Sequence, residues 1–187
     1  MNSKEKKKMK KIKYALILAI MLLIISCSMT PKPINMIPSK DNNFSTRFNK
    51  TLNVNMTFGG RETDPIIEGS KIDNVSFTLA LLMALENSEL FDEINSSVNE
   101  ADFTLKAIIL SQDQPLMGLD MTVTLIVKYS LYDNLDKKEI WSEDILSRYT
   151  AAFGDALVGM TRLKKANEGS VRQNLRLLLE SLSKLKL

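Results

Sequence analysis

Met121-Thr122-Val123-Thr124-Leu125-Ile126-Val127-Lys128-Tyr129-Ser130-Leu131-Tyr132 is the stretch whose reading decides the fold. Met121, Val123, Leu125, Val127, Tyr129 and Leu131 are apolar or aromatic at every second position, and the residues between them are mostly polar. Successive side chains of a strand point to opposite faces, so this alternation predicts a long strand with one face on a core. Asp133-Asn134-Leu135-Asp136-Lys137 turns the chain, and Glu139 to Tyr149 returns with Trp141, Ile145 and Tyr149 on one side. The two segments predict a long hairpin. Asp133 and Asp136 lack the alternating ligand spacing and the glycine of an EF-hand loop, so a polar turn is expected there.

Working outward, Ala101 to Leu110 predicts a second strand, with Phe103, Leu105, Ala107 and Ile109 on one face. Gln112 to Leu119 reads as a loop, unusually apolar for a hairpin tip at Pro115-Leu116-Met117-Gly118-Leu119. Exposed apolar loops mark contact sites, so Leu116, Met117 and Leu119 are candidate partner-binding residues; the alternative is a loop folded back on the core. Leu90 to Val98 holds a short strand. Thr51 to Phe58 alternates too, placing Leu52, Val54, Met56 and Phe58 on one side. Gly59-Gly60-Arg61 ends it as a turn; an anion cradle would want the further glycine and lysine of a phosphate loop.

Two helices complete the pattern. Asp73 or Asn74 can cap the first, Val75 to about Ser88, whose centre Leu79-Ala80-Leu81-Leu82-Met83-Ala84-Leu85 is apolar on every face and calls for cover on more than one side. After a small, glycine-containing connection, the second runs from about Thr161 to near the end. Its apolar stripe is Leu163, Ala166, Val171, Leu175, Leu178, Leu182 and Leu185, with Arg162, Lys164, Lys165, Arg172, Arg176 and Lys184 outside it. Gly169-Ser170 costs helix propensity and suits a close approach to the sheet or to the first helix. Strands with a single apolar face and two helices needing cover predict an α+β fold. The economical form is a two-layer sandwich, an antiparallel sheet of about four strands with two helices packed on one face.

The N-terminal region follows other rules. Lys4, Lys6, Lys7, Lys8, Lys10, Lys11 and Lys13 precede twelve apolar residues, Tyr14 to Ile25. A basic segment before a short apolar run is the physical form of a secretory signal. Twelve residues make roughly 18 Å of helix, well short of a bilayer core of about 30 Å. The run ends in Ile24-Ile25-Ser26-Cys27, and Cys27 is the chain's one cysteine. This ending resembles the lipobox of bacterial lipoproteins cut by signal peptidase II. The resemblance implies cleavage between Ser26 and Cys27, a diacylglyceryl thioether on Cys27, and an acyl chain on the new amino terminus. It also implies, with Ser28 and not aspartate following the cysteine, the periplasmic face of the outer membrane. Two or three acyl chains give stable anchoring where one does not.

Three parts follow: a signal peptide over 1–26, a lipidated cysteine with a flexible proline-containing tether over 27–50, and a periplasmic domain over 51–187. Without residues 1–26, lysine plus arginine falls from 25 to 18 and acids from 22 to 21, so the formal charge passes from +3 to −3. No basic footprint for nucleic acid is left. The chain has no histidine, which excludes Ser-His-Asp and Cys-His catalysis and every histidine metal site. No metal and no cofactor are expected beyond the acyl groups on Cys27.

A second resemblance rests on the domain. Phe77 to Leu90 resembles a helix ending in a Leu-Phe pair (Leu90-Phe91). It is followed by Ala101-Asp102-Phe103-Thr104-Leu105, by Val127-Lys128-Tyr129-Ser130-Leu131-Tyr132-Asp133, and by Lys138-Glu139-Ile140-Trp141. Ala166-Asn167-Glu168 and Val171-Arg172-Gln173-Asn174-Leu175 lie in the last helix. Together they are similar to small envelope lipoproteins of the lipopolysaccharide-assembly and ABC-transport auxiliary type. That resemblance implies a non-enzymatic accessory subunit docking, through the 116–119 loop or a sheet edge, onto a protein partner in a larger envelope machine. A lipid carrier is the alternative, with a cavity lined by Phe77, Leu81, Met83 and Leu178. A glycan-active enzyme is disfavoured: in Asp92-Glu93 and Glu143-Asp144, neighbours along a strand point to opposite faces and cannot flank one bond.

Overall fold

The structure, a computed structural model, describes residues 30–40, 44–61, 70–95 and 101–187. The signal segment, Ser26 and Cys27 lie outside the described residues. In chain order the elements are β1 (Phe48–Val54), α1 (Asn74–Ser88), β2 (Phe91–Asn95), β3 (Phe103–Asp113), β4 (Met121–Asp133), β5 (Lys138–Ala151) and α2 (Gly159–Leu182). A short 3-10 turn, Pro33–Met36, precedes β1. No helix among the described residues is long and apolar enough to cross a membrane.

The α+β class and the helical layer are as expected, but the sheet is not an antiparallel one of about four strands. It has five strands in the order β2-β1-β3-β4-β5, and β1 pairs in parallel with both neighbours. The reason is connectivity. A helix between two strands carries the chain back to the starting edge, so β1-α1-β2 forms a parallel pair, whereas short turns yield the antiparallel β3-β4-β5 meander. β1 also lies earlier than its alternation suggested. Phe48, Leu52 and Val54 are buried, while Met56 and Phe58 are exposed past the strand's end, Phe58 bridging to Ile108.

One face of the sheet carries the core. Leu52, Leu105, Leu125, Val127, Tyr129 and Leu131 meet Phe77, Leu81 and Leu85 of α1 and Val171, Leu175 and Leu178 of α2 in a single cluster. Each such side chain contributes about 1.5–3 kcal/mol by leaving water. Asp73 caps α1: its carboxylate accepts from the Ser76 backbone N–H at 2.8 Å and from the Ser76 hydroxyl at 2.7 Å. The cover on more than one side expected for α1 is partial: Phe77, Ala80, Leu81, Ala84 and Leu85 are buried and Leu82 and Met83 half-buried, while Val75 and Leu79 are exposed.

α2 packs closely on β5 because Gly169 has no side chain. A Cβ there would sit 2.3 Å from the Tyr149 ring, so the close approach anticipated from Gly169-Ser170 is made to the sheet. Arg162, read as lying outside the stripe, is buried. The flexible tether fails over its described part. Met36 is fully buried, the Lys32 backbone N–H donates to Glu168 Oε1 at 2.9 Å, and Asn35 Nδ2 donates to Glu168 Oε2 at 3.0 Å. A buried carboxylate needs donors, and this segment supplies them. Residues that read as polar linker are a strap on α2.

Candidate interaction surfaces

Two surfaces stand out. The first is the end of the molecule built by the β3–β4 loop (114–120) and the β5–α2 connection (152–158). Arg162, 5% exposed, ties them together: Nη1 donates to the carbonyls of Ala156 (2.6 Å) and Leu157 (3.0 Å), and Nη2 donates to that of Gly118 (3.2 Å). Its guanidinium lies 5.1 Å from the centre of the Phe153 ring. The Phe153 backbone N–H donates to Asp120 Oδ1 at 2.9 Å, and Gln114 accepts from Asn167 Nδ2 at 3.0 Å. Backbone carbonyls held by a buried guanidinium leave the loop side chains nowhere to fold but outward.

Those side chains are apolar. Leu116 is 96% exposed, Met117 84% and Leu157 85%, while Leu119, Val158 and Phe153 are also exposed. The sequence marked Leu116, Met117 and Leu119; the structure brings them together and joins Phe153, Leu157 and Val158 to them through Arg162. Sequence reasoning missed this second loop because Ala151 to Thr161 looked merely small and glycine-containing. The readable signal was Leu157-Val158, two large apolar residues between turn residues.

The second surface is the sheet face away from the helices. Phe58, Ile108, Leu110 and Leu146 are exposed on it and Ile126 is half-buried, a stepped apolar row in which Phe58 bridges to Ile108, Ile126 pairs with Leu146, and Lys128 stands opposite Ile108. Lys106, Lys128 and Arg148 flank the row, and Lys106 Nζ stands 4.1 Å from the centre of the Tyr132 ring. Toward the 133–137 turn this face carries a solvent-open groove of about 890 Å3, lined by Lys50, Asp102, Thr104, Lys106, Tyr132 and Asn134 among others. Asp102 accepts from the Thr51 backbone N–H at 2.8 Å, which, with its hydroxyl and the Lys50 ammonium, holds its carboxyl below the usual range. So many charged and amide groups make a poor seat for an acyl chain.

The carrier's cavity is not where it was expected. Phe77, Leu81 and Leu178 are fully buried against one another's neighbours in the core cluster, and Met83 is half-buried outside it. Beside them the helix–sheet interface holds a polar lock. The buried Tyr129 hydroxyl donates to Asn174 Oδ1 at 2.7 Å, and Asn174 Nδ2 donates to the Ile145 carbonyl at 2.8 Å and to Ser147 Oγ at 3.2 Å. Burial pushes the Tyr129 phenol well above its ordinary range. The Gly60 N–H, a donor in the weak anion-cradle reading, is taken by Asn74 Oδ1 at 2.7 Å, which leaves a turn. Glu143 and Asp144 are both exposed on β5, paired in register with Tyr129 and Lys128. Among the described residues no cluster of three or more carboxylate or thiol groups could hold a metal.

No protein-family model matches this chain, and no curated protein is similar to it in sequence. Solved structures share its fold. A Xanthomonas campestris protein of the DUF330 family model matches with a TM-score of 0.56 at 13% identity, over 82% of this chain and 90% of that one. A hypothetical protein from Chlamydia trachomatis matches with a TM-score of 0.50 at 13% identity, over 72% and 94%. A minor lipoprotein from Acinetobacter baumannii is more distant, with a TM-score of 0.38 at 13% identity over 74% and 90%. At these identities the likeness is one of fold.

Proposed function

We propose that this chain is a lipid-anchored envelope protein, a non-enzymatic docking subunit of a larger assembly or transport machine, held by acyl chains on Cys27. The observation that supports docking over carrying is the uncovered sheet face: a stepped apolar row from Phe58 to Leu146 is left open, while Phe77, Leu81 and Leu178 are buried in the core. Exposed apolar patches mark contact sites, and side chains carried on a rigid sheet lower the ordering cost that a partner has to offset. The lipobox-like Ile24-Ile25-Ser26-Cys27 supports the anchor, and Ser28 supports the periplasmic face of the outer membrane.

Photo-crosslinking in intact cells tests the docking reading. Probes replacing Ile108 or Leu146 are expected to give one discrete product with another protein, and a probe at the exposed Glu86 of α1 none. Correctly localised protein that crosslinks to nothing from either sheet position sinks the proposal, as does turnover of a glycan abolished by one acid substitution. For the anchor, Cys27→Ala is expected to move the protein from the membrane to the soluble fraction, and fractionation of the intact protein decides between the outer and inner membrane.

A further inference from the structure

Resting on the reading of Cys27 as a lipid attachment point, we infer that the apolar loop end sits in the same bilayer leaflet that holds those acyl chains. This end comprises Leu116, Met117, Leu119, Phe153, Leu157 and Val158. A tether free over some 23 residues would let the domain roam by up to roughly 70 Å. The strap removes that freedom.

The strap's course also sets direction. Thr46 Oγ1 donates to the Ser183 carbonyl at the C-terminal end of α2, and Pro38 and Phe44 line a small recess with Leu179. Lys32 and Asn35 bond Glu168, further toward the start of the helix. Traced backward, the chain therefore travels along α2 toward its N-terminal end, where the two loops lie. Lys32 lies five positions after Cys27, and five extended steps span at most about 17 Å. At 1.5 Å per residue the start of α2, Gly159, is about 14 Å from Glu168, within reach. The other end, Leu182, is about 21 Å away in the opposite direction. The anchor thus reaches the loop end and falls short of the far one.

Chemistry agrees with geometry. Asp113, Asp120 and Asp155 in this region are matched by Arg162, Lys164 and Lys165, so attraction to a bilayer here is apolar and does not require anionic lipid. A side chain that is solvent-exposed in the free domain loses that exposure on insertion, and the acyl anchor supplies a high effective concentration for the step. Arg162 holds the backbone of both loops, so the six side chains are already presented outward before any membrane is met.

The test uses the full mature protein, with Cys27 acylation verified by intact mass. Leu116→Cys, Leu157→Cys and, as a control, Leu135→Cys each receive an environment-sensitive fluorophore. Leu135 is 89% exposed at the opposite hairpin tip. The acylated protein is reconstituted into phosphatidylcholine vesicles with or without brominated chains. Quenching of at least about twofold is expected at 116 and 157, and none at 135. Equal quenching at all three positions, or none at 116 and 157 in acylated protein, overturns the inference and leaves the anchor standing. A protein crosslink from position 116 in cells in place of quenching overturns it in favour of a protein partner. A mass without acyl chains overturns both readings together.

Discussion

The two helices reach the same core by opposite routes. α1 is apolar all round and capped by one aspartate, yet it leaves Val75 and Leu79 in water. α2 is on average polar, yet it buries Arg162, Asn167, Glu168, Ser170 and Asn174. What separates them is partners. Four of the five find hydrogen bonds across an interface, Arg162 in two loops, Asn167 in Ser70, Gln114 and the Gln112 side chain, Glu168 in the strap, Asn174 in Tyr129 and Ile145, while the Ser170 hydroxyl donates within the helix to the Asn167 carbonyl. In α1 such bonds are confined to Asn74 and Thr78, which accept from the Gly60 and Thr57 backbone N–H groups, and the apolar Val75 and Leu79 are left exposed. Hydropathy describes what a side chain costs to bury alone, and in α2 almost nothing is buried alone.

Breaking the α2 side of that contrast gives the largest expected effects. Asn174→Ala orphans the Tyr129 hydroxyl and the Ile145 carbonyl inside the core, and a loss of about 3 kcal/mol is expected in urea unfolding. A loss under about 0.5 kcal/mol would mean that the polar lock is ornamental and that the two helices differ in appearance only. Gly169→Ala comes next, at about 2 kcal/mol, because its methyl would overlap the Tyr149 ring. Combined with Tyr149→Ala the cost should be well under the sum of the two single changes; strict additivity would show that the ring is not the obstacle.

The lock also sets a pH dependence. Burial raises the Tyr129 pKa in the folded state above its unfolded value of about 10. Below pH 10 both states hold the proton and the stability is fully present. Above it the unfolded chain releases the proton and the folded one keeps it, so stability falls with rising pH, by about 1.4 kcal/mol per unit for this one group. Tyr129→Phe is expected to be less stable at pH 8 but to decline less steeply above pH 10. Parallel curves for the two proteins would place the alkaline loss elsewhere, for instance in Tyr132, whose phenol is raised by its bond to Glu139.

The contrast explains what was legible in the sequence. Period-two alternation announced β3, β4 and β5 within a few residues, and Asp73 announced the start of α1, because each rests on neighbours along the chain. Leu116, Met117 and Leu119 were legible as misfits, too apolar for a loop. Parallel pairing of β1 was lost because it depends on where α1 returns the chain, and Phe48 was lost because its partner Phe91 is distant in sequence. Met56 and Phe58 kept the alternation after the strand had ended. The strap and Arg162 were hidden for a common reason: their burial follows from Glu168 and from the carbonyls of Ala156, Leu157 and Gly118, none of which a local window contains.

The smallest effect belongs to the strap, and it is the one that bears on the anchor. Glu168→Ala removes both acceptors of the Lys32 and Asn35 hydrogen bonds, while Met36 keeps its buried seat. A loss of only about 1 kcal/mol of global stability is therefore expected. The local signature should be larger: the Lys32 amide, protected from hydrogen exchange in the parent, should exchange markedly faster in the variant, with the Asn174 region unchanged. Freed at that point, the segment before Met36 lengthens the reach from Cys27 by several residues, so quenching of the probe at position 157 should weaken although every apolar side chain at that end is intact. If the amide is released and the quenching does not change, the loops hold the membrane without help from the strap. The short leash would then be a consequence of folding α2 and not a device for placing the domain.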